Sequence, residues 1–356
     1  MKELTAREVQ LGELSVLKKL DEICRAQNLR YFLFYGTLLG AVRHQGFIPW
    51  DDDIDIAMPR EDYEKLLQYL FTHEKELLPY KVMSHRNNRD YIYPICRFCD
   101  TRYYVDYQGT VEYGLGLFVD IYPFDGYGNT EQEKAALYKK NWRLNRLAFQ
   151  AGMKTFQKSG TAGWRTPIKF LLYCHAKLLG CPKLLEKMDR EAQARPFRAD
   201  KFVDCVVWMP TPKGYPRELF DETAYIRFED QDFPVPARYH ELLTLRYGDY
   251  MQLPPEDQRI AHHYYTAYLL DEEEYQQKNN AYRLRLSVRE PHLFVVKILF
   301  DLGGADLGSS GKIDHFGAFF GEKIEFSFPV ISHDEGIYVV SVNIRTLLIP
   351  AFLRDH

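Results

Sequence analysis

Long apolar segments, internal repeats and an excess of positive charge are all missing from this sequence. No uncharged apolar run approaches the roughly 20 residues that a membrane-spanning helix needs, and no repeat indicates a solenoid. The 46 Lys and Arg are balanced by 50 Asp and Glu, which argues against a nucleic-acid-binding protein. The six Cys are irregularly spaced, which favours a reducing compartment over a disulfide framework. Residues 1–4 lack the features of a secretory signal. We therefore expect a cytoplasmic globular protein.

The charge that is present is unevenly distributed. Residues 139–201 contain fifteen Lys and Arg but only four Asp and Glu, a local net charge of +11, so the rest of the chain carries -15 to give the total of -4. Basic amphipathic helices suit either the anionic inner face of a membrane or a polyanionic polymer. A solvated helical face is the alternative. We expect residues 139–201 to contact one of these anionic partners, with the protein peripheral at the inner face of the cell membrane.

Local patterns alternate between helix and strand, which predicts an α/β or α+β fold. Thr5 and Glu8 form a T-x-x-E capping box at the start of a first helix. Alternating apolar residues and turn signals predict strands near residues 31–35, 53–58, 91–98, 102–107 and 117–122, and helical spacing predicts helices over 38–44, 60–78, 130–195 and 255–275. Asp125, between Phe124 and Gly126, is predicted to be a turn residue. The segment after residue 280 differs in composition, with strands near 324–328 and 337–344.

The acidic run Asp51-Asp52-Asp53-Ile54-Asp55 is the most informative stretch. In a strand, Asp53 and Asp55 would project from the same face and place two carboxylates side by side. Paired carboxylate oxygens suit Mg²⁺ or Mn²⁺. A solvated acidic turn is one alternative. A calcium loop is another, but Ile56 stands where that loop requires Gly, and its twelfth position, Asp62, is not Glu.

A second acidic residue, Asp120, lies inside the apolar run Leu117-Phe118-Val119-Asp120-Ile121. A carboxylate in a buried strand is costly without a partner, so we expect it to meet a cation or a base. If its strand lies beside that of Asp55, three carboxylates converge on one or two metal ions, an arrangement used for phosphoryl transfer. An ordinary hydrogen-bonded Asp at a strand end is the alternative.

Gly36-Thr37 separates a predicted strand from a short helix. A small-residue turn at a helix N-terminus offers backbone N–H groups and a partial positive charge to a phosphate. Arg43 and His44 follow one to two turns later, where they could contact the same phosphate.

Two other groups of potential metal or phosphate ligands have ordinary explanations. Cys96-x-x-Cys99 is half of a zinc site that Cys174, His175 and Cys181 would complete, but a strand puts Cys96 and Cys99 on opposite faces, so buried free thiols are favoured. His262-His263, in the predicted last helix, is either a phosphate contact or a helix-packing pair.

At these residues the sequence resembles the LicD family of phosphotransferases, relatives of fukutin-type enzymes within the nucleotidyltransferase superfamily. The matching stretches follow the family's order over about residues 10–275: Tyr35 to Ile56, Tyr91 to Thr101 with Arg97, Asp100 and Thr101, Gly116 to Asp125, and Tyr247-Gly248-Asp249-Tyr250 with Leu253-Pro254-Pro255 and His262-His263. The basic helices of 130–200 and the tail of 281–356 depart from the family pattern.

The resemblance implies a nucleotidyltransferase-like mixed sheet flanked by helices in residues 1–280, with a basic helical insert at 130–200 and a C-terminal appendage at 281–356. It implies a metal ion held by Asp53, Asp55 and Asp120. It also implies that Gly36 and Thr37 line the donor phosphates, with Arg43 and His44 nearby and Arg97 in a position that suits phosphate. Asp120 is expected to help deprotonate the acceptor.

The reaction implied by the resemblance is transfer of a substituted phosphate, such as phosphocholine, from a CDP-linked donor to a hydroxyl of a surface glycan. Teichoic acid, lipopolysaccharide or a capsule precursor, free or lipid-linked, would be the acceptor. A nucleotidyltransferase or a D-x-D glycosyltransferase would share the metal site and leave a different product. A polyanion-binding membrane adaptor is the non-enzymatic alternative, and intact acids at Asp53, Asp55 and Asp120 argue against it.

Overall fold

The computed structural model describes residues 1–107, 114–153, 155–156, 166–208, 211–259 and 265–289. The chain divides into two units, Met1–Asn280 and Ala281–His356. The strands predicted near 324–328 and 337–344 lie outside the described residues, as does His262-His263.

Helices and strands alternate along the described residues. The α-helices are α1 Ala6–Ala26, α2 Tyr35–His44, α3 Arg60–Thr72, α4 Glu131–Gly152, α5 Thr166–Leu179, α6 Cys181–Gln193, α7 Tyr239–Tyr247 and α8 Glu272–Arg289. The strands are β1 Lys2–Glu3, β2 Phe32–Leu33, β3 Asp55–Pro59, β4 Tyr80–Met83, β5 Cys96–Asp100, β6 Tyr103–Tyr107, β7 Leu117–Gly126, β8 Phe202–Asp204, β9 Tyr215–Pro216, β10 Thr223–Phe228, β11 Gln231–Pro236 and β12 Tyr265–Leu269. Short 3₁₀ helices cover Arg217–Phe220 and Glu256–Gln258.

The main sheet is mixed, with the order β2-β3-β7-β5-β4, and β8 and β9 extend it from the end of β7. β3 and β7 run parallel, whereas β5 runs antiparallel to β7. A second sheet has the order β1-β12-β6, and β10 and β11 form a hairpin. The expected mixed sheet flanked by helices is therefore confirmed as an α+β arrangement.

The first helix begins as its sequence predicts. The Thr5 hydroxyl accepts a hydrogen bond from the Glu8 backbone N–H at 3.3 Å, and the Glu8 carboxylate accepts one from the Thr5 N–H at 2.9 Å, which completes the capping box. Leu17 and Leu20 on this helix are fully buried in the main core. α1 thereby covers one face of the sheet, next to β7.

Several predicted elements differ from the structure. The helix predicted over 38–44 begins at Tyr35, so Gly36-Thr37 lies in its first turn and does not precede it. The helix predicted over 60–78 ends at Thr72, and the strand predicted near 91–98 is Cys96–Asp100.

Asp53 precedes β3, which begins at Asp55, so the two carboxylates do not share one strand face. The helix predicted over 255–275 is wrong: it is replaced by a 3₁₀ turn and by strand β12, whose Tyr265–Leu269 segment pairs with β6. Aromatic and β-branched residues dominate that segment, and cross-strand pairing with Tyr103–Tyr107 outweighs its helical spacing.

The basic helices α4, α5 and α6 share a small apolar core that includes Leu144, Leu185 and Met188. They are joined to the sheet by ion pairs around Arg60, which binds Asp125 through two bonds of 2.7 Å and reaches Asp189 on α6 at 3.0 Å. Arg86 also binds Asp189, at 2.6 Å. The prediction that Asp125 is a turn residue is wrong, because it is a fully buried strand residue neutralised by Arg60.

No helix in the described part of the chain is long and apolar enough to cross a membrane.

Candidate active site

Two carboxylates lie side by side at the parallel pair of strands. Asp55 at the start of β3 is the register partner of Asp120 on β7, and both side chains are buried. Burial, followed by the charges of Asp53, Asp120 and Asp51, raises the pKa of Asp55 well above its usual value. Oδ1 of Asp55 is buried and has no hydrogen-bond partner among the described residues. The strands thus hold this carboxylate oxygen in a buried position without giving it a hydrogen-bond donor.

Asp120 has a different environment, because the neighbouring antiparallel strand places Arg97 opposite it. Nε of Arg97 donates to Oδ1 of Asp120 at 2.6 Å, and Nη2 donates to Oδ2 at 3.3 Å. The guanidinium is also sandwiched between the rings of Tyr93 and Phe118, at 4.4 and 4.1 Å from their centroids. The expectation that Asp120 meets a cation or a base is confirmed, and its partner is Arg97.

The loop Asp51–Asp53 brings three more carboxylates together. One oxygen from each of Asp51, Asp52 and Asp53 lies within 4.8 Å of the others. Side chains from elsewhere hold the loop's backbone, since Gln10 Nε2 donates to the Asp51 carbonyl at 2.8 Å and the Tyr265 hydroxyl donates to the Asp52 carbonyl at 3.0 Å. The sequence places Asp51 and Asp52 in the acidic run, but they were not among the predicted ligands Asp53, Asp55 and Asp120.

Glu13 is a further buried acid behind this loop, and the sequence analysis did not identify it. It is fully buried on α1, and the Tyr265 hydroxyl donates to its Oε1 at 3.2 Å. Burial and the nearby charge of Asp53 raise the pKa of Glu13 well above its usual value. A signal was present, because Glu13 stands four residues before Leu17 and seven before Leu20, on the apolar face of the helix.

The start of α2 is tied to the acidic residues. The Asp55 backbone N–H donates to the Thr37 hydroxyl at 2.8 Å, and the Phe34 N–H donates to the Asp55 carbonyl at 3.0 Å. Gly36 lies in the first turn of α2, and a Cβ added there would meet the carboxylate of Asp51, which would have to move to make room for it. The first N–H groups of a helix have no partner within the helix, which leaves them available to an anion.

An open cavity of about 1110 Å³ lies against these elements. Its wall includes Gly36, the carboxylates of Asp51, Asp53 and Asp55, and the cations Arg43 and Arg246. The remaining lining residues are Tyr35, Leu39, Ile48, Trp50, Tyr122, Trp208, Tyr247, Asp249, Tyr250, Gln252, Leu253, Pro254, Pro255 and Gln258. Thr37, His44, Arg97 and Asp120 are not among the described residues that line it.

The two cavity arginines are fixed in place by neutral groups. Arg43 Nη1 donates to the Tyr250 carbonyl at 3.0 Å. Arg246 Nη1 donates to the Tyr215 hydroxyl at 2.7 Å, and its guanidinium lies 4.3 Å from the centroid of the Tyr35 ring. Nε of Arg246 is buried without a hydrogen-bond partner in the described part of the chain. Within the described ranges neither arginine forms an ion pair with a carboxylate, so both can offer charge to an anion.

Arg246 was not predicted as a site residue, although it directly precedes the Tyr247-Gly248-Asp249-Tyr250 segment. His44, which was predicted, is half-buried with its ring 6.3 Å from that of Trp50. Burial and the charge of Arg43 lower the pKa of His44. This shift favours the neutral imidazole, which can take part in hydrogen bonds.

The donor set at this site fits a divalent cation with a preference for oxygen. Asp51, Asp53 and Asp55 all reach the cavity, and the unpartnered Oδ1 of Asp55 is the kind of atom that a ligand would satisfy. Carboxylates alone, without His or Cys, suit Mg²⁺ or Mn²⁺ rather than zinc. Of the predicted ligands, Asp53 and Asp55 are in the cavity wall, and Asp120 lies beside Asp55 with its carboxylate bonded to Arg97.

The cysteines have the properties of buried thiols. Cys96 and Cys99 are fully buried on β5, and burial raises their pKa values to about 12 and about 11. All six Cys are free. Among the residues that the structure describes, Asp51, Asp52 and Asp53 form the sole group of three potential ligands close enough to hold a metal ion. These observations favour the free-thiol alternative over zinc.

Comparison with known proteins gives consistent matches. The family model described as LicD/FKTN/FKRP, nucleotidyltransferase domain, matches residues 28–153. The chain is 34% identical over 280 residues to the lipopolysaccharide cholinephosphotransferase LicD of Haemophilus influenzae, an alignment that covers 76% of this chain and 100% of that protein. An uncharacterized protein of Rickettsia typhi is 32% identical over 130 residues, covering 36% of this chain and 39% of the relative. An uncharacterized protein of Rickettsia prowazekii is 43% identical over 87 residues, covering 24% of this chain and 30% of the relative.

Proposed function

The chain belongs to the LicD/FKTN/FKRP family, and on that premise we propose that it transfers phosphocholine from a CDP-linked donor to a hydroxyl of a cell-surface glycan. The similarity to a lipopolysaccharide cholinephosphotransferase over that protein's entire length supports the transferred group and the glycan acceptor. The proposal also includes a CDP-linked donor and a divalent cation, and the residues that line the cavity support both. The cytoplasmic location stays a prediction.

One observation carries the proposal: the cavity is lined by four carboxylates, those of Asp51, Asp53, Asp55 and Asp249, and by two arginines that are held by neutral groups. Carboxylates without a cation would repel a diphosphate, and arginines without carboxylates would bind any anion. Together they suit a diphosphate that arrives with a divalent cation. Asp51 and Asp53, which line the cavity and belong to the carboxylate group close enough to share an ion, would hold the cation, and the unpartnered Oδ1 of Asp55 would be a further ligand once the side chains move in on the ion. When bound, the cation would withdraw charge from the diphosphate.

Arg43 and Arg246 would orient the diphosphate against the acidic wall. Arg246 is already aligned by the Tyr215 hydroxyl and the Tyr35 ring, so little side-chain freedom is lost when it binds. Its buried Nε would gain a partner on phosphate binding. The N-terminal N–H groups of α2, beside Gly36, would add partial positive charge.

In the proposed reaction the acceptor hydroxyl oxygen attacks the phosphorus next to choline, in line with the bond to the bridging oxygen. That bond breaks and CMP leaves with both of its electrons. The hydroxyl proton passes to a carboxylate oxygen in the cavity wall. Asp120 was predicted for this step, but its carboxylate is bonded to Arg97, so we propose Asp249, a lining carboxylate that is not assigned to the cation.

The rest of the cavity suits a choline group. Trp50, Trp208, Tyr247 and Tyr250 are among the lining residues. Aromatic faces attract a quaternary ammonium ion, whose charge cannot be satisfied by hydrogen bonds. A hydroxylated head group such as glycerol or ribitol would gain less from these rings. We therefore place choline ahead of ethanolamine, glycerol and ribitol as the head group.

A panel of four CDP-alcohols with a lipopolysaccharide acceptor tests the proposal. With Mg²⁺ present, we expect CMP release and the largest thermal stabilisation with CDP-choline. Asp53→Asn should lose CMP release, and Asp230→Asn, an exposed aspartate that pairs with Lys18 outside the cavity lining, should retain it. CMP release by Asp53→Asn at the wild-type rate would reject the proposed site. Pyrophosphate release from a nucleoside triphosphate would instead indicate a nucleotidyltransferase, and transfer of a sugar would indicate a D-x-D glycosyltransferase.

A further inference from the structure

Helix α5 exposes an unusual amount of apolar surface. Six of the sixteen exposed large apolar side chains among the described residues belong to this helix of fourteen residues: Ile168 54%, Phe170 48%, Leu171 68%, Leu172 49%, Leu178 86% and Leu179 37%. Scattered exposed leucines are ordinary, whereas a contiguous group marks an interaction surface.

Five of these side chains form one face. Ile168, Leu171, Leu172, Leu178 and Leu179 follow the spacing i, i+3, i+4, i+10 and i+11, and His175 occupies i+7. At about 100° per residue this set covers an arc of about 120°. We call these six residues the α5 apolar face. The arc is as wide as the buried stripe of an ordinary surface helix, but here it is exposed.

The other side of α5 is anchored to the protein. Ala176 is fully buried in the core shared with α4 and α6. Lys177 Nζ donates to the Ala151 carbonyl on α4 at 2.9 Å. Phe170 and Tyr173 pack around the ring of Phe156. A different side of α5 therefore packs against the protein, and the α5 apolar face is turned away from that packing.

The charge around α5 determines which partner this face suits. α5 contains Lys169 and Lys177 and no acidic residue. The adjacent helices present further exposed cations, Lys139, Arg143 and Arg146 on α4 and Lys183, Lys187 and Arg190 on α6. Two copies of the protein that paired through this face would also bring the cations of α4, α5 and α6 towards each other. An anionic bilayer supplies both an apolar interior and negative head groups.

We propose that the α5 apolar face inserts into the head-group and acyl boundary of an anionic membrane, with the lysines and arginines of α4, α5 and α6 on the lipid phosphates. This surface goes beyond the proposed transfer reaction and does not use its cavity. It would bring the protein to a lipid-anchored glycan acceptor, and that consequence rests on the proposed function.

Sedimentation of the full chain with lipid vesicles tests the membrane surface. We expect binding to phosphatidylcholine vesicles that contain phosphatidylglycerol, and much weaker binding to phosphatidylcholine alone. Leu171→Glu/Leu178→Glu should lower the partition coefficient roughly tenfold or more, because two apolar contacts are lost and two repelled charges are gained. Leu11→Glu, at a leucine of α1 with 47% exposure, is the matched control and should bind as the wild type does.

Each other outcome would overturn the proposal. Wild-type protein that does not sediment with anionic vesicles would overturn it. So would a double variant that binds as well as Leu11→Glu does. A wild-type dimer that becomes monomeric in the double variant, with vesicle binding unchanged, would assign the face to contact between copies. Circular dichroism checks the fold of each variant. CMP release from a soluble donor is measured separately, so its failure would contradict the proposed reaction and not the membrane surface.

Discussion

Asp55 and Asp120 are register partners on adjacent parallel strands, yet their carboxylates have opposite environments. Asp120 is bonded to Arg97 by two hydrogen bonds, whereas Oδ1 of Asp55 is buried without a partner among the described residues. Arg97 therefore neutralises Asp120, whereas Asp55, which lines the cavity, keeps an oxygen for a ligand. This asymmetry is the reason to assign cation binding to Asp55 and its neighbours Asp51 and Asp53.

The effect of removing one of these charges on thermal stability should depend on whether a divalent cation is present. In a chelator, Asp53→Asn should raise the melting temperature or leave it unchanged, because it reduces repulsion within the acidic group. With Mg²⁺ at about 100 times its dissociation constant, the wild type should gain about 2.7 kcal/mol of stability and the variant much less. Thermal unfolding measured in both conditions checks this, with Asp230→Asn as the control. An equal Mg²⁺ effect in the wild type and Asp53→Asn would contradict it.

Gly36→Ala should weaken cation binding without unfolding the protein. The added Cβ would displace the carboxylate of Asp51, a side chain that can move. We expect the Mg²⁺ concentration that gives half of the thermal stabilisation to rise severalfold, with a change of less than about 1 kcal/mol in the chelator. Gly152→Ala, where the Cβ meets Ile92 outside the cavity lining, is the control and should leave the Mg²⁺ requirement unaltered. If Gly36→Ala needs the same Mg²⁺ concentration as the wild type for half of the stabilisation, Asp51 is not a ligand.

Arg246→Ala should impair donor binding. Losing a charge-assisted contact to phosphate costs roughly 1.5–3 kcal/mol, which corresponds to an increase of about tenfold or more in the KM for CDP-choline. Arg246→Lys should recover part of this affinity, because it keeps the charge and loses the planar geometry. Arg238→Ala removes an exposed arginine that pairs with Glu218 and Glu241, and steady-state kinetics should show no effect on KM. An unchanged KM in Arg246→Ala would remove Arg246 from the donor site.

The ion pairs that join α6 to the sheet should make stability fall in acid. Burial opposes ionisation of Asp189, but the hydrogen bond with His85 and the charges of Arg60 and Arg86 together lower its pKa below the usual 3.8. Its stabilising effect is therefore complete above about pH 3.8 and lost as the pH falls below that value. Asp189→Asn should cost about 3 kcal/mol at pH 7, and its loss of stability below pH 4 should be smaller than that of the wild type.

Denaturant unfolding at pH 7 and below pH 4 measures this difference. Glu191→Gln, on the same helix but partly exposed and paired with Lys140, should behave as the wild type does. Parallel pH profiles for the wild type and Asp189→Asn would show that this carboxylate does not stabilise the folded chain.

The sequence predicts best where the interaction is local. The capping box of Thr5 and Glu8 involves residues three apart, so its pattern is visible without the fold. Asp55 and Asp120 are also identifiable, because an acid among apolar strand residues is costly wherever the strand lies. The mixed sheet follows from the alternation of helix and strand signals.

Long-range pairing accounts for what the sequence does not predict. The segment containing Tyr265 fits a helix by its spacing, and only its pairing with β6 makes it a strand. That strand then supplies the Tyr265 hydroxyl that holds both Glu13 and the Asp52 carbonyl. Arg246 is separated from Asp55 by most of the domain's length, and no local pattern places them in one cavity.

The proposed transfer of phosphocholine requires attack at the phosphorus next to choline. It is tested most directly with two preparations of CDP-choline, one with radioactive phosphorus next to cytidine and one with radioactive phosphorus next to choline. After incubation with Mg²⁺ and lipopolysaccharide, we predict that the label next to choline is found on the glycan and the label next to cytidine in CMP. Label from the cytidine side on the glycan, with phosphocholine released, would contradict the account.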